Sequence, residues 1–132
     1  MNKILKESAI LLLTGVILII LDSVYLSAIK QKFELQIVTI QRVSMSINMT
    51  GVLLCYLLLT FGVYYFIVRE HKSTIDAFLM GVFVYGIYET TNYSVFKKWS
   101  PEFVIMDTIW GGVLFALTNS FVKNMIGILQ IV

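Results

Sequence analysis

Four long apolar runs occupy most of this 132-residue chain, at residues 8–29, 47–68, 75–96 and 101–122. Each run is close to the roughly 20 residues that a helix needs to cross the hydrocarbon core of a bilayer. Strands of a membrane barrel would alternate apolar and polar residues, whereas stretches such as Leu-Leu-Leu at 57–59 do not alternate. The runs therefore predict an all-α fold, an integral membrane antiparallel four-helix bundle.

Composition agrees with this class of protein. Hydrophobic residues make up 58% of the chain, which is more than a soluble domain usually carries. We expect residues 1–132 to form a single transmembrane domain surrounded by membrane lipids, because the four runs leave no room for a soluble domain. The net charge of +2 lies in the loops and termini, so no nucleic-acid partner is expected. A single cysteine, Cys55, excludes a disulfide within the chain.

The starts of the last two helices are marked by cap residues. Ser73, with Asp76 three residues later, predicts the N-terminus of the third helix. Ser-Pro-Glu at 100–102 combines a cap, a proline at the first helical position and an acid in the first turn. The connection at 30–46 mixes apolar and polar residues, and we expect it to lie along the interface in a conformation that the sequence leaves open.

An even number of spans puts both termini on the same side of the membrane. Lysine and arginine residues divide five against five between the two sides, so their distribution does not decide the orientation. Lys3 and Lys6, just before the first run, favour cytoplasmic termini. We call the side that carries the first and third connections the far face, and the side of the termini the near face.

Three carboxylates lie inside the apolar runs: Asp22, Glu89 and Asp107. Each is about seven residues, or about 10 Å of helix, from the far face. A charge in hydrocarbon costs about 3 kcal/mol or more. Because three separate runs carry an acid at one depth, the sequence predicts a shared polar pocket there.

Polar and aromatic side chains accompany these acids at helical spacings. The predicted pocket residues are Asp22, Tyr25, Asn48, Tyr88, Glu89, Asn92, Asp107 and Trp110. Small residues that would let helices approach closely are Ala77, Gly81, Gly111, Gly112 and Ala116. Trp99, which follows two lysines, is predicted to be an aromatic residue of the membrane interface.

The residue types that are missing from the four apolar runs argue against several kinds of active site. No histidine lies in any of them, which argues against histidine-box desaturases, bis-histidine haem and histidine-rich zinc hydrolases. We assign no catalytic residues, and the absence of a nucleophile–histidine pair favours a protein that is not an enzyme. No cofactor is expected; a divalent cation, if one binds, would be held by Asp22, Glu89 and Asp107, since oxygen ligands suit Mg²⁺ or Ca²⁺.

Three motifs resemble those of a known family. They are Leu-Asp-Ser-Val-Tyr-Leu at 21–26, Tyr-Gly-Ile-Tyr-Glu-Thr-Thr-Asn at 85–92 and Asp-Thr-Ile-Trp-Gly at 107–111, with Trp99 between the last two. They resemble a family of small four-span predicted membrane proteins of unknown function, mainly bacterial. Its pattern is Asp-x-x-Trp-Leu, Tyr-Asp-x-Thr-Asn and Asp-x-x-Trp-Gly. The resemblance covers nearly the whole chain and implies the same fold and pocket, without naming a substrate.

The chain departs from that pattern at two positions. Tyr25 stands where the family usually has tryptophan, and Glu89 stands where it usually has aspartate. Both changes keep the chemical type, so the pocket is retained. A site that demands one carboxylate geometry, such as a tight metal cage, becomes a weaker interpretation.

Three functions remain open on the sequence. The acids could bind or conduct a proton, a cation or a small solute, as in a transporter or channel that works as a homo-oligomer (a dimer or larger). They could instead hold the polar part of a lipid in a lipid-binding or lipid-modifying protein or its partner. In the third, the protein has a structural or assembly role and the carboxyl groups join the helices by hydrogen bonds.

Overall fold

The computed structural model describes residues 2–130, and that part of the chain contains four helices and no strand. The elements are α1 (Lys3–Gln41), α2 (Met49–Val63) continued by a π-helical turn (Tyr64–Val68), α3 (Thr74–Val95) and α4 (Pro101–Leu129). The prediction of an all-α bundle is confirmed.

Both predicted cap sites begin helices. The hydroxyl of Ser73 accepts a 3.1 Å hydrogen bond from the backbone N–H of Asp76 at the start of α3. The hydroxyl of Ser100 accepts from the backbone N–H of Phe103, and Pro101 is the first residue of α4. These side chains satisfy N–H groups that have no partner within their helices.

The first and last helices extend beyond the predicted spans. α1 has 39 residues and is therefore about 58 Å long, against about 30 Å for the hydrocarbon core. It includes residues 30–41, whose conformation the sequence did not decide, and ends where Arg42 adopts a left-handed conformation with φ 61°. α4 continues past residue 122 as far as Leu129.

Three helical segments are long and apolar enough to cross a membrane: Lys3–Gln41, Met49–Val68 and Pro101–Leu129. α3 has the length, with 22 residues, but it is not among them. Its second half carries two tyrosines, a glutamate, two threonines and an asparagine between 85 and 92, which lower its hydropathy. The fourth span therefore stays a prediction.

α3 and α4 form the most closely packed pair of helices, because glycines face each other across it. A Cβ atom added to Gly81 would overlap the carbonyl group of Gly111, and one added to Gly112 would come within 2.7 Å of the Phe78 ring. Ala77, one turn before Gly81, is fully buried. The remaining predicted packing residue, Ala116, is half-buried.

The apolar core lies in the near half of the bundle. Its fully buried side chains include Leu18 of α1, Val63 of α2, and Leu114 and Val122 of α4. α2 packs against α1, but α2 and α3 do not pack extensively against each other in the described part of the chain. α2 is therefore held in the bundle mainly by α1.

Candidate functional site

A cavity of about 370 Å³ lies in the far half of the bundle, and all four helices contribute to its wall. Its lining residues are Asp22, Tyr25, Leu26, Ile29, Phe33, Cys55, Leu59, Val84, Tyr85, Tyr88, Glu89, Phe103 and Asp107. The three acids thus border one space, and the rest of the wall is aliphatic or aromatic apart from the Cys55 thiol. None of the lining residues is lysine, arginine or histidine.

Asp22 is held by donors on both of its carboxylate oxygens. The Tyr56 hydroxyl donates to Oδ2 at 2.5 Å, and the Trp110 indole N–H donates to Oδ1 at 2.9 Å. The residue is only 6% exposed. Because a buried carboxylate is costly unless its oxygens are paired, these two donors fix Asp22 to α2 and α4.

Glu89 is the most deeply buried of the three acids, with 1% of its surface exposed. The indole N–H of Trp99 donates a 3.0 Å hydrogen bond to its Oε2. Trp99 is itself 5% exposed, because the turn between α3 and α4 folds its ring back over the end of α3. The prediction that Trp99 is an interfacial residue is therefore wrong, since its N–H binds a buried acid instead of the headgroup region.

Asp107 is the acid that α4 contributes to the cavity wall. The Tyr25 hydroxyl donates to its Oδ1 at 3.1 Å, and Asp107 lines the same cavity as Glu89. An ionised carboxylate only accepts hydrogen bonds. Two ionised carboxyl groups that border one apolar space therefore repel each other, and a proton held between them would remove that repulsion.

A pair of stacked aromatic rings connects Asp107 to Asp22. The rings of Tyr25 and Trp110 are nearly parallel, with centroids 4.5 Å apart. Tyr25 donates to Asp107 and Trp110 donates to Asp22. Because the rings are in contact, a displacement of either one would disturb the hydrogen bonds of both Asp107 and Asp22. The positions of these two acids are therefore coupled.

The predicted pocket residues occupy different places around the cavity. Tyr88 lines it and is 53% exposed, whereas Trp110 lies behind Asp22 and is not part of the lining. Asn92 is half-buried near the end of α3, where its backbone carbonyl accepts from Phe96. Asn48 is the N-cap of α2 and accepts from the backbone N–H groups of Thr50 and Gly51; it does not line the cavity.

Sequence reasoning missed Tyr56 and gave Trp99 a different role. Tyr56 lies in a helix so apolar that no periodic polar signal marks one face. Depth could have found it, because Tyr56 is seven residues after the start of α2 at Met49 and so lies level with the acids. Tyr85, also on the cavity wall, shares a helix face with Glu89 by its spacing of four residues, although it is not among the predicted pocket residues.

A cation held by the three acids stays a prediction. Within residues 2–130, no group of three or more His, Cys, Asp or Glu side chains comes close enough to hold a metal ion. The donors that contact these acids in the structure are hydroxyl and indole groups.

Comparison with known proteins gives one match. The sequence model of a family described as "Predicted membrane protein (DUF2177)" matches residues 8–123. The chain belongs to the DUF2177 family. No curated protein and no solved structure matches it.

The DUF2177 match covers the whole of the site. Residues 8–123 include the three acids and the four aromatic donors Tyr25, Tyr56, Trp99 and Trp110. Together with the three apolar helical segments, membership in DUF2177 identifies the chain as a membrane protein. The family description states no activity, so function has to be argued from the cavity.

Proposed function

We propose that this protein binds an organic cation with apolar substituents inside the membrane, that Glu89 and Asp107 share one proton, and that the cation is exchanged for this proton, as in a carrier. The observation that carries the proposal is a cavity whose wall combines three acids with five aromatic side chains and no basic residue. Such a wall suits a ligand that is positive and apolar at once.

The aromatic side chains favour a cation over a neutral solute. Tyr25, Phe33, Tyr85, Tyr88 and Phe103 line the cavity. The face of an aromatic ring attracts a cation by about 0.5–2 kcal/mol, and cages of such rings are a known way of recognising quaternary ammonium groups. The aliphatic part of the wall offers burial for the substituents of the same ligand.

The charge balance points the same way. The ion pairs in the described chain, Lys32–Glu102 and Arg69–Glu70, lie outside the cavity. The side chains that donate to the three acids are hydroxyl and indole groups, which are neutral. A cation beside the two acids that share a proton would favour their ionised form and displace that proton, which couples binding to proton release.

The roles of the acids differ. Asp22 already accepts two hydrogen bonds from Tyr56 and Trp110, so it is a positioning residue that joins three helices. Glu89 and Asp107 hold the exchangeable proton and are the binding pair. The structural interpretation of the carboxyl layer thus fits Asp22 best, and the transport interpretation fits the pair.

A second candidate is a lipid-binding function, which the arrangement of α2 and α3 favours. Both helices line the cavity, through Cys55 and Leu59 on one and Val84 and Tyr88 on the other, although they do not pack extensively together. A ligand could therefore enter sideways from the bilayer. A lipid chain would need only the apolar wall, whereas an organic cation would need the acids as well.

The chain carries its own reporter for a binding experiment. Its only two tryptophans, Trp99 and Trp110, both donate to acids of the cavity. Purified protein in a neutral detergent would be titrated with benzyltrimethylammonium, and separately with neopentylbenzene, its uncharged isostere, while tryptophan fluorescence is recorded. We expect saturable binding of the cation and an affinity for the isostere at least about tenfold lower.

Variants then test the binding pair. Glu89→Gln should weaken cation binding by about tenfold or more, because it removes the exchangeable charge. Glu34→Gln, the same change at a half-buried position outside the cavity, should leave the affinity unchanged. Equal affinity for the cation and the isostere would contradict the proposal and support lipid-type binding. If the Glu89→Gln variant binds the cation as tightly as the wild type, the Glu89–Asp107 pair does not bind it.

A further inference from the structure

The part of α1 beyond residue 29 is fastened to the turn between α3 and α4. The side-chain carbonyl of Gln36 accepts a 3.0 Å hydrogen bond from the backbone N–H of Ser100. One turn earlier, the ring of Phe33 meets that of Phe103 edge to face, at 6.2 Å between centroids. Residues 30–41 therefore form a fixed surface beside the turn at the far face.

Two adjoining hollows, of about 320 and 260 Å³, lie on this surface and share Thr39 and Lys98 as lining residues. Lys32 borders the first hollow; Arg42 and Lys97 border the second. Four basic side chains thus surround a small area. The one acid among the lining residues is Glu102, whose carboxylate is 3.8 Å from the Lys32 ammonium group, with both side chains largely exposed.

A buried donor without a partner borders the same place. Gln36 lines the first hollow and is 7% exposed. Its side-chain nitrogen has no hydrogen-bond partner among the described residues, although its oxygen is bonded to Ser100. A buried donor is costly to leave unpaired, so a shift of the Gln36 side chain that lets its nitrogen donate to an oxygen-rich ligand in the hollow would be favourable.

The position of the hollows along the membrane normal and the apolar residues at their edges indicate a lipid ligand. They lie on the far-face side of the cavity, with Phe103 shared between the first hollow and the cavity wall. Leu35 and Val95, which line them, are 68% and 69% exposed. Basic residues beside exposed apolar ones at the end of membrane-spanning helices match the headgroup and the first part of the acyl chains of a phospholipid.

We propose that the two hollows bind the phosphate-bearing headgroup of an anionic phospholipid. The lysine and arginine side chains contact the headgroup oxygens through charge-assisted hydrogen bonds, and the acyl chains lie along the exposed apolar residues. This site is separate from the carboxyl-lined cavity, and it does not depend on what that cavity binds.

The test compares retention of two lipids with identical acyl chains. Protein in a neutral detergent is mixed with equal amounts of phosphatidylglycerol and phosphatidylcholine, and the bound lipids are counted by native mass spectrometry. The wild type should retain phosphatidylglycerol preferentially. The double variant Arg42→Gln/Lys98→Gln should lower this preference by about tenfold, whereas Lys3→Gln/Lys6→Gln, which removes two charges near the other membrane face, should leave it intact.

Two further measurements decide the nature of the ligand and guard against misfolding. Glu102→Gln removes the acid from the hollow without touching its basic residues, so it should raise retention of phosphatidylglycerol. Inorganic phosphate in excess should not displace the lipid. The proposal is overturned if both double variants lose the preference equally, if Glu102→Gln leaves retention unchanged, or if inorganic phosphate replaces the lipid, since the last result would identify a site for soluble anions.

Discussion

The indole nitrogen of Trp99 lies 3.0 Å from Oε2 of Glu89 and donates a hydrogen bond to it. Both residues are almost fully buried, and only ten positions separate them in the chain. The contact exists because the turn after α3 reverses the chain and returns the ring over the helix end. A tryptophan beside two lysines thereby becomes part of the carboxyl layer.

Replacing Trp99 with phenylalanine should keep most of the ring contacts and remove the N–H. Glu89 would then lack its indole donor in a buried position, so we expect the free energy of unfolding to fall by about 1–3 kcal/mol. The measurement is denaturant-induced unfolding in detergent micelles. The same change in a Glu89→Leu background, which offers the indole no acceptor, should cost clearly less, because both substitutions remove one bond. Equal costs in both backgrounds would show that Trp99 does not stabilise the protein through Glu89.

Tyr56 should matter for stability and not for the bound ligand. Tyr56→Phe removes the donor to Oδ2 of Asp22 and should lower the free energy of unfolding by about 1–2 kcal/mol. The affinity for benzyltrimethylammonium should change less than about threefold, because the Glu89–Asp107 pair is intact. Tyr93→Phe, at a half-exposed position, serves as the control and should change neither quantity. A large loss of cation affinity in the Tyr56→Phe variant would show that Asp22 also takes part in binding the cation.

The glycine contact between α3 and α4 should tolerate no side chain. A methyl group at Gly81 would overlap the backbone of Gly111, so Gly81→Ala should lower the free energy of unfolding by about 3 kcal/mol or more, or prevent folding. Gly51→Ala is the matched control, because a Cβ there meets no atom within 4 Å, and its effect should stay within about 1 kcal/mol. Similar effects of the two substitutions would contradict the packing of this helix pair.

Gln36 should hold the end of α1 against the turn. In Gln36→Ala the backbone N–H of Ser100 loses its acceptor, and amide hydrogen exchange over residues 33–41 should become about fivefold faster. Gln31→Ala, at an exposed position of the same helix, should leave exchange unchanged. If both variants exchange at the wild-type rate, then other contacts fix this part of α1.

The sequence predicted the parts of the fold that depend on local chemistry. Apolar runs of the right length predicted the helices, and Ser73 and Ser100 marked the starts of α3 and α4. The common depth of three acids predicted that they would meet, because depth follows from counting residues along helices. Each of these inferences needs only one helix at a time.

What the sequence did not predict depends on how the helices rotate and turn relative to one another. Whether Tyr56 faces Asp22 is decided by the rotation of α2 about its axis, and the uniformly apolar sequence of α2 carries no periodicity to fix that rotation. The burial of Trp99 depends on the path of a turn of a few residues. The helical extension at 30–41 depends on Gln36 and Phe33 finding partners that are more than 60 positions away.

Proton release on cation binding tests the central claim most directly. Protein in detergent with very little buffer would be mixed with benzyltrimethylammonium while a pH indicator records the protons set free. We predict release of up to about one proton per cation bound, because the cation favours the ionised form of the Glu89–Asp107 pair, and a weaker cation affinity as the pH is lowered. Glu89→Gln should release none. Saturable cation binding by the wild type with no proton released would contradict the account.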